Sequence, residues 1–336
     1  MPTTSAPAYT ISAKAIDLVA RIAEKIGEIR ASGEYSRNLR LRKVNRIRSI
    51  QSSLAIENNT LSLEQVTDII EGKRVSGLPH EIQEVRNACL AYEKLLDYDP
   101  YEVKDFLAAH YLMTVDLVKD AGHFRSQNVG VFAGARLVHP GANYKFVPQL
   151  ITELFAWAKK ADIHPLVKSS IVHFEIEFIH PFMDGNGRIG RLWQTLILSK
   201  WNELFAWLPL ETFVHEKQQG YYDALEESGK AGDSQVFIEF MLDAVLLALE
   251  EIPSRKITDI FTDIITDKLT RAEMEFLEQI AGYLDKNGEI TNYRAQLLTN
   301  KSDISVKKYF AKFVEIGLLQ VEGKNKGRKY KINKKR

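Results

Sequence analysis

The sequence predicts a mainly α-helical protein with one small β-hairpin and a separate C-terminal domain. Apolar residues recur every three or four positions over most of the 336 residues, which is the spacing of amphipathic helices. Proline, glycine and hydroxyl residues stand where these patterns begin and end, as helix-capping residues do. The pattern changes after Pro253, and a chain of this length is expected to form about two domains.

Composition places the chain among ordinary globular proteins, with 45% hydrophobic and 26% charged residues. The net charge of +1 gives no overall field that favours nucleic acid or a membrane. Cys89 is the single cysteine, which excludes an internal disulfide and suits a reducing compartment. We see neither a signal peptide nor an apolar run of membrane-spanning length. These observations predict a cytoplasmic protein with no membrane partner.

Residues 1–98 are predicted to form an N-terminal helical region. Ser12 can cap the first helix, and the Asn58–Asn59 pair can end the second, since asparagine tolerates the left-handed conformation. Ser62 and Gln65 have the spacing of a capping box for the third helix. The expected helices run from Ser12 to about Gly33, over about 47–58, from Ser62 to about Gly72, and from Glu81 to about Leu96.

Residues 99–252 are predicted to form a second helical region, the candidate catalytic core. The helix that ends at Ile179 is apolar on nearly all sides, so we expect it to be central. Val129–Phe132 and Lys145–Val147 have strand-like composition and turn residues lie between them, which predicts a small hairpin or, alternatively, a surface loop. Helices are expected after Pro100, then over 150–160, 165–179, 188–201, 216–227 and 234–252.

Residues 253–269 are predicted to be a linker and residues 270–336 a C-terminal domain. Three helices, near 273–284, 293–298 and 305–316, precede two strand-like pieces at 318–321 and 329–332. This order resembles a winged helix-turn-helix domain. Its basic ribbon could bind DNA, or the domain could contact a target or a second subunit. The basic residues are Lys324, Lys326, Arg328, Lys329, Lys331, Lys334, Lys335 and Arg336.

The segment from His180 to Arg191 reads His-Pro-Phe-Met-Asp-Gly-Asn-Gly-Arg-Ile-Gly-Arg. Backbone N–H groups around Gly185, Asn186 and Gly187 could form an anion-binding nest, strengthened by the positive end of the following helix. Arg188 and Arg191 are three residues apart, so both can reach the same phosphates with forked donors. The segment therefore predicts a site for a nucleotide triphosphate.

Two further residues of this segment can supply chemistry. Asp184 offers the hard oxygen ligand that Mg²⁺ prefers beside phosphates. His180 is a candidate base, because histidine has an unperturbed pKa near neutral pH, and it could take the proton of an attacking hydroxyl. Positioning, charge neutralisation and a base are the requirements of phosphoryl-type transfer.

Every fixed position of H-x-F-x-[DE]-G-N-G-R-x-x-R is met between His180 and Arg191, and the chain thereby resembles the Fic family. The resemblance implies an all-α core and a protein adenylyltransferase, which moves AMP from ATP to a Ser, Thr or Tyr hydroxyl of a protein, including the chain itself. The roles it implies are general base for His180, holder of Mg²⁺ or Mn²⁺ for Asp184, α-phosphate contacts for Gly185, Asn186 and Gly187, and outer-phosphate contacts for Arg188 and Arg191.

The same resemblance implies roles outside the signature. Phe182 would anchor the loop in the core, and the hairpin over 137–146 would be a flap that pairs with the target segment. Tyr221 and Tyr222 would line the adenine pocket, with an aromatic core stripe as the equal alternative. Family members also suggest a homodimer.

Ser53-Leu54-Ala55-Ile56-Glu57-Asn58 matches the family's inhibitory motif, [ST]-x-x-x-E-[GN]. The resemblance implies that Glu57 pairs with Arg191 and occupies the side chain that the γ-phosphate needs. ATP would then bind with its α-phosphate out of line for attack. The alternative is an exposed surface glutamate.

Other functions remain open at this stage. A kinase reaction is known for relatives with lysine in place of Gly187, which argues against it here. Removal of AMP is possible if Glu57 orients a water molecule. A DNA-binding regulator that only senses nucleotide would not need the base His180.

Overall fold

The computed structural model describes residues 6–32, 39–133, 136–252, 269–323 and 328–333. It divides into two compact units, Met1–Ile252 and Pro253–Arg336. The described residues of both units are mainly helical, which confirms the predicted fold class. Residues 253–268, most of the predicted linker, lie outside the described part, as does the predicted end of the first helix at Gly33.

The helices of the first unit follow the capping signals of the sequence. In the third helix Ser62 Oγ accepts from Gln65 N at 3.2 Å, and Gln65 Oε1 accepts from Ser62 N at 2.9 Å. The predicted capping box is therefore present. The helices are α1 Ala13–Ser32, α2 Leu39–Ile56, α3 Leu63–Ile70, α4 Pro79–Glu93, α5 Val103–Thr114, α6 Val147–Lys160, α7 Pro165–Ile179, α8 Asn186–Trp201, α9 Leu210–Glu216, α10 Gln218–Ala231 and α11 Gln235–Glu251.

Helix α7 is central to the first unit, as its apolar composition predicts. It packs against α6, α8 and α11. One set of its apolar side chains, including Val172 and Ile176, belongs to a core shared with α5, α6 and α8. Another set, including Ile171 and Phe174, belongs to a core shared with α1, α10 and α11. The end of α7 is therefore held from two sides.

Several elements differ from the sequence expectation. The helix predicted over about 47–58 is α2, Leu39–Ile56, which begins earlier and ends before Glu57 and Asn58. Pro79 begins α4 and does not merely interrupt the chain, because its fixed φ suits the first helical position. Helix α9, Leu210–Glu216, was not predicted, and its seven residues are too few to give a clear periodic pattern.

The small hairpin exists, but its second strand was placed wrongly. β1 Gly130–Ala133 pairs antiparallel with β2 Arg136–Pro140, whereas residues 134–135 lie outside the described part. The segment predicted as a strand at Lys145–Val147 is instead a 3₁₀ turn, Tyr144–Phe146, that leads into α6. Asn143 caps this turn by accepting from Lys145 N at 3.1 Å. A side-chain cap followed by a proline in the first helical turn favours helix over strand.

The second unit consists of helices α12 Arg271–Asn287, α13 Asn292–Thr299 and α14 Asp303–Glu315 with three short strands. Strands β3 Glu289–Ile290, β4 Leu319–Glu322 and β5 Lys329–Ile332 form an antiparallel sheet in the order β3-β5-β4. Phe276, Phe310 and Phe313 fill its core. The two-residue strand β3 was not predicted. The assignment to the winged-helix class stays a prediction.

Among the helices that the structure describes, none combines the length and the apolar character needed to span a lipid bilayer.

We expect Ile176→Ala in α7 to destabilise the first unit by about 2–5 kcal/mol, because it opens a cavity where the side chain is fully buried. Thermal unfolding of the full chain should show a melting transition lowered by several degrees. Leu90→Ala, at a half-exposed position on α4, is the matched control and should shift the transition little. Equal shifts for both variants would contradict a central α7.

Candidate active site

His180 lies where α7 ends, in a left-handed backbone conformation with φ 54° and ψ 64°. Its backbone N–H donates to Ile176 O at 2.9 Å, and Pro181 then prevents the helix from continuing. The ring nitrogen Nδ1 lies 3.3 Å from the Glu177 carbonyl oxygen, which can only accept a hydrogen bond. This contact places the ring proton on Nδ1 and leaves Nε2 as the basic atom of the neutral imidazole.

The loop after His180 is closed by the side chain of Asn186. Its Oδ1 accepts from Phe182 N at 2.9 Å, and its Nδ2 donates to Phe182 O at 3.0 Å. Phe182 itself is fully buried. The side-chain amide of Asn186 thus holds the loop. If Asn186 contacts a phosphate, as predicted, its backbone N–H is the available donor.

Helix α8 follows this loop directly in the chain. Gly185 precedes it with φ +82°, and the N–H groups of Asn186, Gly187 and Arg188 open its first turn. These N–H groups have no acceptor within the helix, so an anion can bind them together with the helix dipole. The Gly185 N–H, in contrast, donates to Asp184 Oδ1 at 2.6 Å. Of the predicted nest, the N–H groups of Asn186 and Gly187 are therefore the ones without an intrahelical acceptor, together with that of Arg188.

Asp184 has an exposed carboxylate, with 64% of the side-chain surface accessible. Its Oδ1 accepts from Gly185 N and lies 3.4 Å from Arg188 Nη2. None of the contacts described for Asp184 uses Oδ2. A carboxylate oxygen of this kind, beside an anion site, fits the way Mg²⁺ is held by one protein carboxylate, water and phosphates. Among the described residues no group of three or more His, Cys, Asp or Glu could hold a metal ion alone.

Arg188 is buried and paired with an acid that sequence reasoning missed. Its Nη1 donates to Glu84 Oε1 at 3.1 Å, and Asn59 Nδ2 donates to the other oxygen of Glu84 at 2.8 Å. Arg188 Nε is buried and has no acceptor among the described residues. Glu84 lies on α4, about a hundred residues away in sequence, so no local spacing could have indicated it.

Arg191 is held by the two residues of the predicted inhibitory motif, Ser53 on α2 and Glu57 in the turn directly after α2. Its Nη2 donates to Glu57 Oε1 at 2.8 Å and to Ser53 O at 2.9 Å, while Nε donates to Ser53 Oγ at 3.1 Å. The Arg191 side chain is 2% exposed and that of Glu57 34%. Burial is the largest single influence and lowers the pKa of Arg191, but Glu57, Tyr221 and Glu177 together raise it above its ordinary value, so the guanidinium stays charged. Arg191 Nη1 is buried without an acceptor among the described residues.

Gly187 lets Glu57 approach this closely. A Cβ atom at position 187 would overlap Glu57 Oε1 and would lie 3.0 Å from Arg191 Nη1. A glycine is thus needed here for the carboxylate to reach Arg191, as well as for an anion to approach the helix.

One cleft of about 660 Å³ is lined by His180, Asp184–Gly187, Arg191 and Glu57, whereas Arg188 is not among its lining residues. The two tyrosines predicted for the adenine pocket both line it, but they differ in accessibility. Tyr221 is buried and its hydroxyl lies 3.0 Å from His173 Nε2, whereas the half-exposed Tyr222 donates to Ile56 O at 3.3 Å. Tyr222 therefore presents its ring to the cleft, and Tyr221 mainly supports it.

His110 on α5 is a further residue that the sequence did not single out. Its ring stacks on Phe182 with centroids 3.6 Å apart. Nδ1 accepts from Gly122 N and Nε2 lies 3.0 Å from Asp184 O, so the ring donates through Nε2. Burial lowers its pKa to about 4, which keeps the ring neutral. His110 thus fixes the backbone of Asp184 from behind the loop.

Comparison with known proteins gives concordant matches. The family described as Fic/DOC family matches residues 100–198. A protein adenylyltransferase Fic of Aedes aegypti is 30% identical over 218 residues, 61% of this chain and 41% of that relative. The chain thus spans about two fifths of the length of such curated relatives.

Solved structures are similar over longer stretches. The crystal structure of a Fic family protein from Desulfovibrio desulfuricans G20 is 40% identical, with a TM-score of 0.72, and covers 98% of both chains. Fic-1 (residues 134–508) from C. elegans shares 21% identity with a TM-score of 0.56, over 70% of this chain and 72% of its own. The latter likeness concerns the fold alone.

We expect His110→Phe to lower the free energy of unfolding by about 1–3 kcal/mol, because it removes two part-buried hydrogen bonds, to Gly122 N and Asp184 O, while it keeps an aromatic ring on Phe182. Thermal unfolding measures the loss, and His123→Phe, at an exposed neighbouring histidine, should change it little. An unaltered melting temperature for His110→Phe would show that the ring, and not its hydrogen bonds, supports the loop.

Proposed function

Since the chain belongs to the Fic family, we propose that it transfers AMP from ATP to a hydroxyl side chain of a protein. One observation carries the proposal: a base, an open helix N-terminus, an exposed carboxylate and two buried arginines line or adjoin a single cleft. Relatives named protein adenylyltransferase, matched over 61% of the chain, support it. The target protein is not indicated, and the chain itself is one candidate.

The reaction would use the tautomer of His180 described above. Nε2 takes the proton of the target hydroxyl, whose oxygen then forms a bond to the α-phosphorus of ATP. The bond between the α-phosphorus and the oxygen that bridges to the β-phosphate breaks, and pyrophosphate leaves with that electron pair. The products are an AMP ester of the target and pyrophosphate, and the proton remains on His180 until solvent accepts it.

The phosphates would be held by groups on α8. The N–H groups of Asn186 and Gly187 suit the α-phosphate, and the acceptor-free Nη1 of Arg191 suits an outer phosphate. Asp184 would hold Mg²⁺, or Mn²⁺ in its place. The bound ion would neutralise part of the phosphate charge.

We propose that Glu57 inhibits this reaction by pairing with Arg191. The buried guanidinium needs an anion beside it, and the Glu57 carboxylate is in that place at 2.8 Å. An outer phosphate of ATP that approaches the Arg191 guanidinium would meet the Glu57 carboxylate, another anion, on the same side chain. ATP that binds while Glu57 stays would therefore be displaced from its productive position. A misplacement on the order of 1 Å can cost a factor of about 100 in rate.

Removal of AMP from a modified protein is a second candidate. The partly exposed Glu57 carboxylate lines the cleft beside His180, where it could orient a water molecule toward a phosphate ester. The labelling experiment below separates the two, because a hydrolase would release AMP from labelled protein and would not accumulate label.

DNA binding by the C-terminal domain, a homodimer and a cytoplasmic location stay predictions. Lys329 and Lys331 of the ribbon both pair with Glu289, and Lys331 also pairs with Glu322. These acids cancel part of the positive charge that DNA would need, which weakens the argument for DNA. The ribbon residues Lys324, Lys326, Lys334, Lys335 and Arg336 lie outside the described part.

Glu57→Gly should raise incorporation of AMP by about tenfold or more, because it frees Arg191 for an outer phosphate. Purified protein is incubated with Mg²⁺ and ATP labelled on the α-phosphate, and label on protein is counted. Glu57→Gln, which keeps the side-chain size and removes the charge, should raise it as well. The double variant with His180→Ala should incorporate none.

The same experiment, repeated with ATP labelled on the γ-phosphate, can contradict each of the two proposals, AMP transfer and inhibition by Glu57. Label from γ-labelled but not from α-labelled ATP would identify a kinase. Equal α-label on wild type and Glu57→Gly would refute the inhibitory role of Glu57 while leaving AMP transfer intact.

Asp184→Asn in the Glu57→Gly protein should raise the Mg²⁺ concentration needed for half-maximal labelling by about tenfold or more, because the amide keeps the shape but loses the anionic ligand. A magnesium titration at fixed ATP measures this shift. Calorimetric titration of Mg²⁺–ATP into the same variants tests it independently of the reaction. An unchanged magnesium requirement would exclude Asp184 as the metal holder.

A further inference from the structure

Arg125, in the connection between α5 and β1, is 2% exposed and donates hydrogen bonds through every nitrogen of its guanidinium group. Nε donates to His180 O at 2.7 Å and Nη1 to Gln127 O at 2.8 Å. Nη2 donates to Ile179 O at 3.3 Å and also to Ala142 O. A planar fork with five N–H donors is the side chain suited to such divergent acceptors.

The backbone of Arg125 adds a contact to the same loop, because its N–H donates to Pro181 O at 3.0 Å. Three consecutive carbonyl groups, those of Ile179, His180 and Pro181, are therefore satisfied by one residue. The last carbonyl groups of a helix have no intrahelical donor, and a cation is favourable beside them. Arg125 thus fixes the backbone on which the base stands.

The other two acceptors belong to the hairpin stem. Gln127 precedes β1 and Ala142 follows β2, and Gly141 N donates to Val129 O at 3.1 Å to close the stem. The stem also touches the loop directly. A Cβ atom on Gly141 would lie 3.2 Å from Arg125 Nη2 and 3.4 Å from the Cβ atom of His180.

We infer that Arg125 is a positioning residue that fixes the backbone of His180 against the stem of the β1–β2 hairpin, and so keeps the base in place for proton transfer. The inference rests on the proposed AMP transfer. None of the described contacts of Arg125 is with a carboxylate, and all its acceptors belong to the catalytic loop or the hairpin stem. The groups expected to hold ATP belong to α8 and make no described contact with it.

Because Arg125 makes no described contact with the groups expected to hold ATP, its substitution should change the rate of transfer and not the binding of nucleotide. Lysine at position 125 offers a single ammonium group that cannot reach both segments with the geometry of the fork. In the Glu57→Gly protein, Arg125→Lys should lower the rate of AMP transfer at saturating ATP by about 10–100-fold. The ATP concentration that gives half the maximal rate should change less than about threefold, because α8 is unaltered.

The experiment compares Glu57→Gly alone with the same protein carrying Arg125→Lys, Arg125→Gln or, as control, Arg21→Lys on the exposed face of α1. The rate at saturating ATP, the half-saturating ATP concentration and the affinity for ATP by calorimetry are measured for each. If Arg125→Gln does not fold, Arg125→Lys provides the result. A fall in rate at constant ATP affinity supports the inference, and an unchanged rate or a parallel loss of ATP affinity overturns it.

Hydrogen–deuterium exchange separates a failure of this inference from a failure of the proposed function. Arg125→Lys should accelerate exchange together in the stem peptides around 127–130 and 140–143 and in the loop 180–186. Acceleration in only one of them would overturn the coupling, whether or not any AMP is transferred. Absence of labelling in the Glu57→Gly parent would overturn the proposed reaction and leave the exchange result valid.

Discussion

A guanidinium group that is almost completely removed from water must have an anion or several carbonyl groups beside it, and this requirement organises the site. Arg191 meets it through Ser53 of α2 and Glu57 in the turn after α2, and Arg188 meets it through Glu84 of α4. Both arginines stand on α8, whose position is set by its packing on α7. The N-terminal region therefore supplies the negative charges, on Glu57 and Glu84, that balance the two guanidinium groups. The phosphates of a bound nucleotide carry negative charge of the same kind.

The fixed geometry of the loop has a different origin. His180 takes a left-handed conformation at the end of α7. The side chain of Asn186 is hydrogen-bonded to the backbone of Phe182, and the ring of His110 to the backbone of Asp184. Each of these contacts joins a polar side chain to a backbone group. A loop held in this way keeps its shape without bound ligand, so the base and the anion-binding turn are already arranged when nucleotide arrives.

Sequence reasoning found the features that are local in the chain. The segment from His180 to Arg191 and the capping box at Ser62 each lie within a few turns of chain, so spacing alone reveals them. Glu84, His110 and Arg125 could not be found in this way, because each meets the site through the tertiary fold and carries no motif. The second strand of the hairpin was misplaced because two signals compete at Lys145–Val147. The side chains there are typical of a strand, but the cap at Asn143 and the proline that follows favour a helix start.

The missing side chain of Gly187 has a consequence for how such a site would respond to its surroundings. The space beside its Cα atom is filled by the Glu57 carboxylate, yet it is also the space through which an anion must approach the helix. Under the proposed function, a phosphate reaches the Arg191 guanidinium productively only by displacing the Glu57 carboxylate, so the two anions take part in one exchange. Its midpoint then depends on the concentration of free nucleotide, by mass action. If the proposed function holds, an intramolecular carboxylate of this kind would make productive binding respond to the supply of nucleotide.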